Sequence, residues 1–258
     1  MPLRLCLAAA LLAFAPHTAR AEAALAAISA NFAETAEALL PLFHDATGHD
    51  LTLTTGSTGK LHAQIAAGAP FDLLLSADAQ TPAALIAEGH AVAGSAFTYA
   101  TGRLTLWSAD PDRIGPDGRA ALVGSGLRFV AIANPDLAPY GVAARDTLQH
   151  LGLWKTLQPN IVMGQNIGQA NSMVASGAAE LGFVALSAVL SPRARTRGSR
   201  WDVPEDHHAP IRQEAVLLAH GADNAAARAF LDFLRGPQAA EVIARFGYGT
   251  GNDTERPE

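Results

Sequence analysis

The sequence predicts an α/β fold built from two sheet units, and three observations support this. Short apolar segments alternate with segments of helical periodicity along most of the 258 residues. One of them, 71–75, forms a nearly continuous apolar run, which is typical of a parallel strand buried on both faces. Glycines and hydroxyl side chains stand where strands give way to helices, as in residues 56–60. With 49% hydrophobic residues, the chain can bury a full core.

The first sheet unit is predicted from a strand–helix pattern that repeats three times. Its strands are expected at 24–28, 51–55 and 71–75, each followed by a helix. The first helix should close at Gly48, and Pro41 within it is expected to kink or shorten it. The second helix should end at Gly68. The third is expected to start with Thr81 as its N-cap and Pro82 in its first turn.

The second unit follows the same pattern, and the chain then returns to the first. Strands are predicted at 103–108, 129–132, 160–163, 181–186 and 215–219, and the last one is a candidate to join the first sheet. Helices are expected to open at 138–141 and 164–169, and two more should cover 225–234 and 237–246. The remaining predictions are turn-rich loops at 110–118, a solvated arginine-rich loop at 192–200 and a frayed tail at 253–258.

The N-terminus has the features of a secretory signal peptide. Arg4 precedes a short apolar run, and Ala19-Arg20-Ala21 fits the small-residue cleavage pattern. The run is too short to cross a bilayer. We therefore predict a signal peptide over residues 1–21 and a periplasmic mature protein. Its removal would also take away Cys6, so the mature chain would contain no disulfide or thiolate.

The charge balance excludes one class of partner. The full chain has 18 cationic and 24 acidic residues, a net charge of −6. Loss of Arg4 and Arg20 with the signal peptide would leave 16 cations and a net charge of −8. Such a chain is not expected to bind nucleic acid, and a bound anion would have to be held by local donors.

The turn at 56–61 (GSTGKL) is the first candidate binding site. A helix that starts after a glycine turn has free backbone N–H groups and the positive end of its dipole, both of which favour an anion. The alternative is a plain helix cap, which would serve only its own helix. The turn is too short for the phosphate-binding G-x-x-x-x-G-K-[ST] pattern. Similar turns, each with a glycine beside the helix start, recur near 138–141 and 164–169.

An enzyme is the main rival class. Ser57, Thr58 and Ser76 are candidate nucleophiles, and the chain has nine histidines. None of them lies in an H-E-x-x-H or G-x-S-x-G motif. His207 and His208 are adjacent, so their side chains are expected to diverge on a surface loop rather than bind a metal. We predict no catalytic residues, no cofactor and no enzymatic activity.

Several ordered motifs together resemble the periplasmic molybdate-binding proteins of ABC importers. They extend over nearly the whole mature chain, and the segment 68–78 is the most specific of them. The motifs are GSTGKL at 56–61, GAPFDLLLSAD at 68–78, NPDLAPYG at 134–141, GFVAL at 182–186, GPQAA at 236–240 and FGY at 246–248.

The resemblance implies a periplasmic binding protein fold of type II, with two parallel or mixed-sheet lobes joined by a hinge around a cleft. The expected domains are the signal peptide at 1–21, a first lobe from 22–102 and 211–258, and a second lobe from 103–210. The implied function is capture of molybdate or tungstate for a membrane permease. The alternative is another tetrahedral oxyanion, such as sulfate. The protein is expected to act as a monomer and to hold molybdenum only within the oxyanion.

The resemblance also implies a ligand set without charged side chains. Some members of the family use a tyrosine hydroxyl from the strand that here contains Ala185, which cannot supply one. The chain instead resembles the branch with an asparagine cap, although the role of the Asn31 side chain stays open. Lys60 is expected to point to solvent. The implied ligands are Ala30, Asn31, Ser57, Thr58, Tyr140 and Ile167.

Overall fold

The structure is a computed structural model that describes residues 22–194 and 197–249. The predicted signal peptide at 1–21 and the predicted tail at 253–258 lie outside the described residues. The strands are β1 (Ala23–Ser29), β2 (Asp50–Gly56), β3 (Leu73–Leu75), β4 (Phe97–Gly102), β5 (Leu104–Ser108), β6 (Val130–Ala133), β7 (Ile161–Gly164), β8 (Leu181–Ala185), β9 (Ser199–Asp202) and β10 (Ile211–Leu217). The α-helices are α1 (Ala33–Thr47), α2 (Thr58–Ala66), α3 (Gln80–Ala87), α4 (Gly118–Val123), α5 (Pro139–His150), α6 (Trp154–Leu157), α7 (Ile167–Ala175), α8 (Leu186–Leu190), α9 (Ala225–Leu234) and α10 (Pro237–Arg245).

The strands form two mixed five-stranded sheets, each at the centre of one lobe. The first sheet has the order β2-β1-β3-β10-β4 and the second β7-β6-β8-β5-β9. In the first, β1 is parallel to β2 and β3, while β10 is antiparallel to its neighbours. In the second, β6 is parallel to β7 and β8, while β5 is antiparallel to β8 and β9. The two-unit α/β fold predicted from sequence is therefore present.

The chain passes between the sheets at two places, at Arg103 between β4 and β5 and along residues 203–210 between β9 and β10. Each lobe buries its own apolar residues. One cluster, including Leu106, Ile132 and Phe183, lies around the second sheet. Two others, which include Phe32 and Leu74, lie on the first. Two short connections between separate cores are suited to a hinge.

The parallel strands bring the candidate turns to one edge. The carboxyl ends of β1 and β2 lead into a 3-10 turn at Ala30–Phe32 and into α2, respectively. In the second lobe, β6 leads to α5 and β7 leads to α7. Ligands of open α/β sheets bind beyond these carboxyl ends. The two edges face each other, since the amide of Gly59 at the start of α2 donates to the carbonyl of Leu137 just before α5, at 3.0 Å.

Several local predictions were wrong. Pro41 does not shorten helix α1, which continues to Thr47, because Pro41 is exposed and the carbonyl it leaves unbonded can face water. Helix α3 begins at Gln80, so Thr81 lies inside it and is not its N-cap. The side chain that accepts at the helix start is the carboxylate of Asp78, to which the amide of Thr81 donates at 2.8 Å.

Four other segments of the structure also differ from the predictions. The turn-rich region 110–118 leads into helix α4, and the arginine-rich loop ends in strand β9. Strand β4 has no counterpart among the predictions. Strand β10 begins four residues before its predicted start. Both β4 and β9 lie at sheet edges. Pairing with one neighbouring strand is enough there to order a segment whose hydrophobic pattern only weakly indicates a strand.

Candidate oxyanion site

The six residues implied as ligands line one small cavity between the lobes. Ala30, Asn31, Ser57 and Thr58 come from the first lobe, while Tyr140 and Ile167 come from the second. The remaining lining residues are Ser29, Gly56, Ala77, Ala138, Pro139 and Asn166. None of these twelve residues carries a charged side chain. Five of the six predicted residues are buried, and Ala30 is partly exposed.

Three of the cavity walls are starts of α-helices. Thr58 and Ile167 are the first residues of α2 and α7, and Tyr140 is the second residue of α5. The first N–H groups of a helix have no partner within it. Within residues 22–194 and 197–249, the amides of Ser57, Tyr140 and Ile167 donate to no acceptor in a turn, in a loop or on a side chain. These donors are therefore available to a ligand.

Local side-chain bonds shape the start of α7. The side chain of Asn166 accepts from the amide of Gln169 at 3.0 Å, which caps the helix. The side chain of Gln169 in turn accepts from the amide of Gln165 at 2.8 Å. The cap uses the third amide of the helix, so it does not occupy the first one, which belongs to the cavity-lining residue Ile167.

The hydroxyl of Ser57 is an unusual feature of this cavity. Its Oγ is fully buried and has no hydrogen-bond partner within the part of the chain that the structure describes. A buried hydroxyl without a partner is destabilising by about 1–3 kcal/mol. Such groups in folded proteins call for an explanation, and an unseen ion or ligand is one of the usual ones.

The hydroxyl of Thr58 belongs to a short chain of donors. Ser29 Oγ accepts from the amide of Ala77 at 3.1 Å and lies 2.7 Å from Thr58 Oγ1. If Ser29 donates across that contact, the hydrogen of Thr58 is free to point into the cavity. Sequence analysis missed Ser29 and Ala77 as site residues. Their contacts join the ends of β1 and β3 to α2, which are distant in sequence, and only the motif at 68–78 marked the region.

The side chain of Asn31 is directed away from the other donors. Its amide nitrogen Nδ2 donates to Gln213 Oε1 at 2.9 Å and to the Tyr248 hydroxyl at 3.3 Å, which uses both of its hydrogens. The backbone carbonyl oxygen of Asn31 accepts from the Tyr248 hydroxyl at 2.7 Å and from Ser187 Oγ at 3.1 Å. The group that Asn31 can still offer to the cavity is its backbone N–H.

Lys60 does not line the cavity. Its ammonium group donates to the side-chain oxygen of Gln165 in the second lobe. The side chain is exposed, as predicted, and it also makes this contact across the lobes. Farther from the cavity, Arg193 pairs with Glu37, and Ser191 donates to Glu34, again between the lobes. These contacts describe a closed arrangement of the two lobes.

The comparisons with known proteins agree with this architecture. The sequence profile of a family described as bacterial extracellular solute-binding protein matches residues 24–249. The chain therefore belongs to the bacterial extracellular solute-binding proteins. No helix in the described segments is long and apolar enough to cross a membrane.

Within this family the chain groups with relatives named molybdate-binding protein ModA. It is 49% identical over 226 residues to that of Rhodobacter capsulatus, covering 88% of each chain. It is 47% identical over 243 residues to that of Azotobacter vinelandii, covering 94% of this chain and 95% of the relative. The solved periplasmic molybdate-binding protein of Azotobacter vinelandii superposes with a TM-score of 0.84 at 42% identity, covering 87% of this chain and 98% of that one. The predicted family and its two-lobed fold are thus confirmed.

Proposed function

We propose that the chain captures molybdate or tungstate in the cavity between its lobes and delivers it to the membrane permease of an ABC importer. The observation that carries the proposal is the convergence of neutral donors from both lobes on one uncharged cavity. Among residues 22–194 and 197–249, the amides of Ser57, Tyr140 and Ile167 and the hydroxyl of Ser57 find no acceptor or partner. The ligands we assign are the backbone amides of Asn31, Ser57, Thr58, Tyr140 and Ile167, with the hydroxyls of Ser57 and Thr58. Ala30 contributes to the wall of the cavity.

The donor set is sufficient for tight binding of a dianion. A hydrogen bond to a charged group contributes about 1.5–3 kcal/mol, and each helix start adds roughly 0.3–1 kcal/mol. Association and ordering cost several kcal/mol. A net binding free energy on the order of −8 to −12 kcal/mol, which corresponds to micromolar to nanomolar affinity, is therefore attainable without lysine or arginine.

The division of donors between the lobes links binding to closure. The anion can contact all of them only when the lobes are together, so it binds the closed state more tightly and shifts the population toward it.

We assign residues 22–102 and 211–258 to the first lobe and 103–210 to the second, in agreement with the two crossings between the sheets. We also propose periplasmic export through a signal peptide at 1–21 and a monomeric binding protein without a cofactor or catalytic activity.

Selectivity should follow from protonation and size. Phosphate near neutral pH carries a proton that needs an acceptor, and a cavity lined by donors cannot satisfy it. Sulfate carries no proton, so only its smaller size separates it from molybdate. We expect calorimetric titration of the mature protein at neutral pH to give tight binding of molybdate and tungstate, at least about tenfold weaker binding of sulfate, and none of phosphate.

The same titration contains the test of the proposal. If sulfate bound as tightly as molybdate, the ligand would be a different tetrahedral oxyanion. If none of the four anions bound, the cavity would not be an oxyanion site at all. A parallel measurement of phosphatase turnover, expected to be zero, would separate a binding protein from an enzyme.

A further inference from the structure

Gln213 is a fully buried polar side chain at the junction of the two lobes. It lies on β10 directly after the crossing from the second lobe, and it is 0% exposed. The pairing of β10 with β4 shifts register between Gln213 and Glu214. A shift of this kind bends a strand and re-aims its side chains. Here the amide of Gln213 reaches into the space between the lobes.

The two ends of this side chain contact both halves of the candidate site. Its oxygen Oε1 accepts from Asn31 Nδ2 at 2.9 Å and from the Tyr99 hydroxyl at 2.9 Å, both in the first lobe. Its nitrogen Nε2 donates to the Tyr140 hydroxyl of the second lobe at 3.3 Å. Asn31 and Tyr140 also line the cavity, and their backbone amides are among the ligands proposed above.

The contact between Gln213 and Tyr140 has room because the neighbouring residue, Gly102, has no side chain. A Cβ atom on Gly102 would lie 2.3 Å from the Tyr140 hydroxyl and 2.7 Å from Gln213 Nε2. A side chain at position 102 would thus push the two groups apart. Gly102 ends β4, directly before the other crossing between the lobes. Both crossings therefore contribute to the same buried network.

The hydroxyls in this network keep their protons at neutral pH. Burial raises the pKa of Tyr99 and Tyr140 well above the usual value for tyrosine. Burial also raises the pKa of Tyr248 to about 12, although its hydrogen bonds with the side chains of Ser187 and Asn31 oppose the shift. The network is therefore neutral, which suits a position beside a dianion, and a charge introduced into it would be poorly solvated.

We propose that Gln213 is a positioning residue that couples closure of the lobes to assembly of the oxyanion site. This inference rests on the proposed function. The bond from Gln213 to Tyr140 joins the two lobes, so it forms when they close. The bonds to Asn31 and Tyr99 fix the same side chain in the first lobe. Closing the lobes thus aligns the amides of Asn31 and Tyr140 on one anion, and Asn31 takes part through its backbone.

The test replaces Gln213 by glutamate, which has the same shape. The carboxylate still accepts from Asn31 and Tyr99 but places a buried negative charge near the anion. We expect Gln213→Glu to weaken molybdate binding at pH 8 by more than about tenfold, the effect of one lost buried interaction. Burial raises the pKa of the introduced carboxyl above its usual value of about 4.3. Affinity should therefore recover as the pH is lowered from about 8 to about 6, because protonation removes the charge.

The matched control is Gln149→Glu, which makes the same change at an exposed position of α5. It should bind molybdate like the wild type at every pH. The groups facing Gln213 are Tyr99, Tyr140 and Tyr248, with Asp78 near Tyr99 and the ionisable pair Glu214 and Arg212 adjacent in sequence. All of these groups are also present in the wild type. The pH dependence of molybdate binding by the wild type is therefore the baseline for that of the variant.

A second variant keeps the inference testable if Gln213→Glu fails to fold. Tyr140→Phe removes the hydroxyl that Gln213 contacts but keeps the backbone amide of residue 140. It should weaken molybdate binding several-fold, roughly the contribution of one hydrogen bond, and should reduce the closed fraction measured by distance-sensitive fluorescence between the lobes.

The outcomes separate the inference from the proposed function. If the wild type did not bind molybdate, the proposed function would fail. If the wild type bound it, while Gln213→Glu matched its affinity and pH profile or Tyr140→Phe left affinity and closure unchanged, the positioning role of Gln213 would be overturned. A purely structural role predicts a lower unfolding temperature for both variants, with wild-type affinity and no change in pH dependence.

Discussion

Replacing Ile167 by proline is expected to weaken molybdate binding by about ten- to a hundredfold while the fold is retained. Ile167 is the first residue of α7, a position where proline is well tolerated because its missing N–H has no partner in the helix. The preceding residue, Asn166, is extended, with φ −148° and ψ 173°, which is the conformation that a following proline requires. The substitution therefore removes one donor from the cavity. The lost charge-assisted hydrogen bond contributes about 1.5–3 kcal/mol.

The control for this experiment is Ile167→Ala. It removes a comparable amount of apolar side chain, which is 5% exposed in the wild type, but keeps the backbone N–H. Calorimetry with molybdate and chemical denaturation should be carried out on both variants. The proline variant should bind more weakly than the alanine variant, and both should unfold cooperatively. Equal affinities for the two variants would show that the amide of Ile167 is not a ligand.

Replacing Gly141 by alanine is expected to damage both binding and stability. Gly141 follows Tyr140 in the first turn of α5, where the helix start packs closely against the end of β6. A Cβ atom there would lie 2.3 Å from the carbonyl oxygen of Ala133 and 2.8 Å from backbone atoms of Asn134 and Pro135. These are backbone atoms, so the helix start must move instead. The amide of Tyr140 would move with it.

We expect Gly141→Ala to weaken molybdate binding more than about tenfold and to lower the free energy of unfolding by about 1–3 kcal/mol, as overpacking usually does. Gly115→Ala is the control, because a Cβ atom at Gly115 meets no atom within 4 Å. It should leave affinity and stability close to those of the wild type. Wild-type affinity in a folded Gly141→Ala protein would show that the start of α5 does not need its close approach to β6.

The candidate site residues could be predicted from sequence because each proposed donor comes from a local pattern. A strand end, a glycine or proline and a helix start are enough to place the amides of Thr58, Tyr140 and Ile167 at helix N-termini. Their convergence required the parallel pairing of β1 with β2 and of β6 with β7, which the strand–helix alternation already indicated. The resemblance to the family then selected these turns from the others in the chain.

The residues that support the site could not be found in this way. Gln213 is 182 positions from Asn31 and 73 from Tyr140, and its direction depends on a register shift between two strands. The chain from Ala77 through Ser29 to Thr58 likewise joins three separate elements. No local pattern encodes such contacts. For the same reason β4 was missed, since its partners β10 and Gly249 come from the far end of the chain.

The most direct test is a crystal structure of the mature protein with molybdate, in which anomalous scattering locates the molybdenum atom. We predict one peak in the cavity between the lobes, with oxygens about 2.7–3.2 Å from the amides of Asn31, Thr58, Tyr140 and Ile167. No lysine or arginine should contact the ion. A peak outside this cavity, or an ion held by a cationic side chain, would contradict the account.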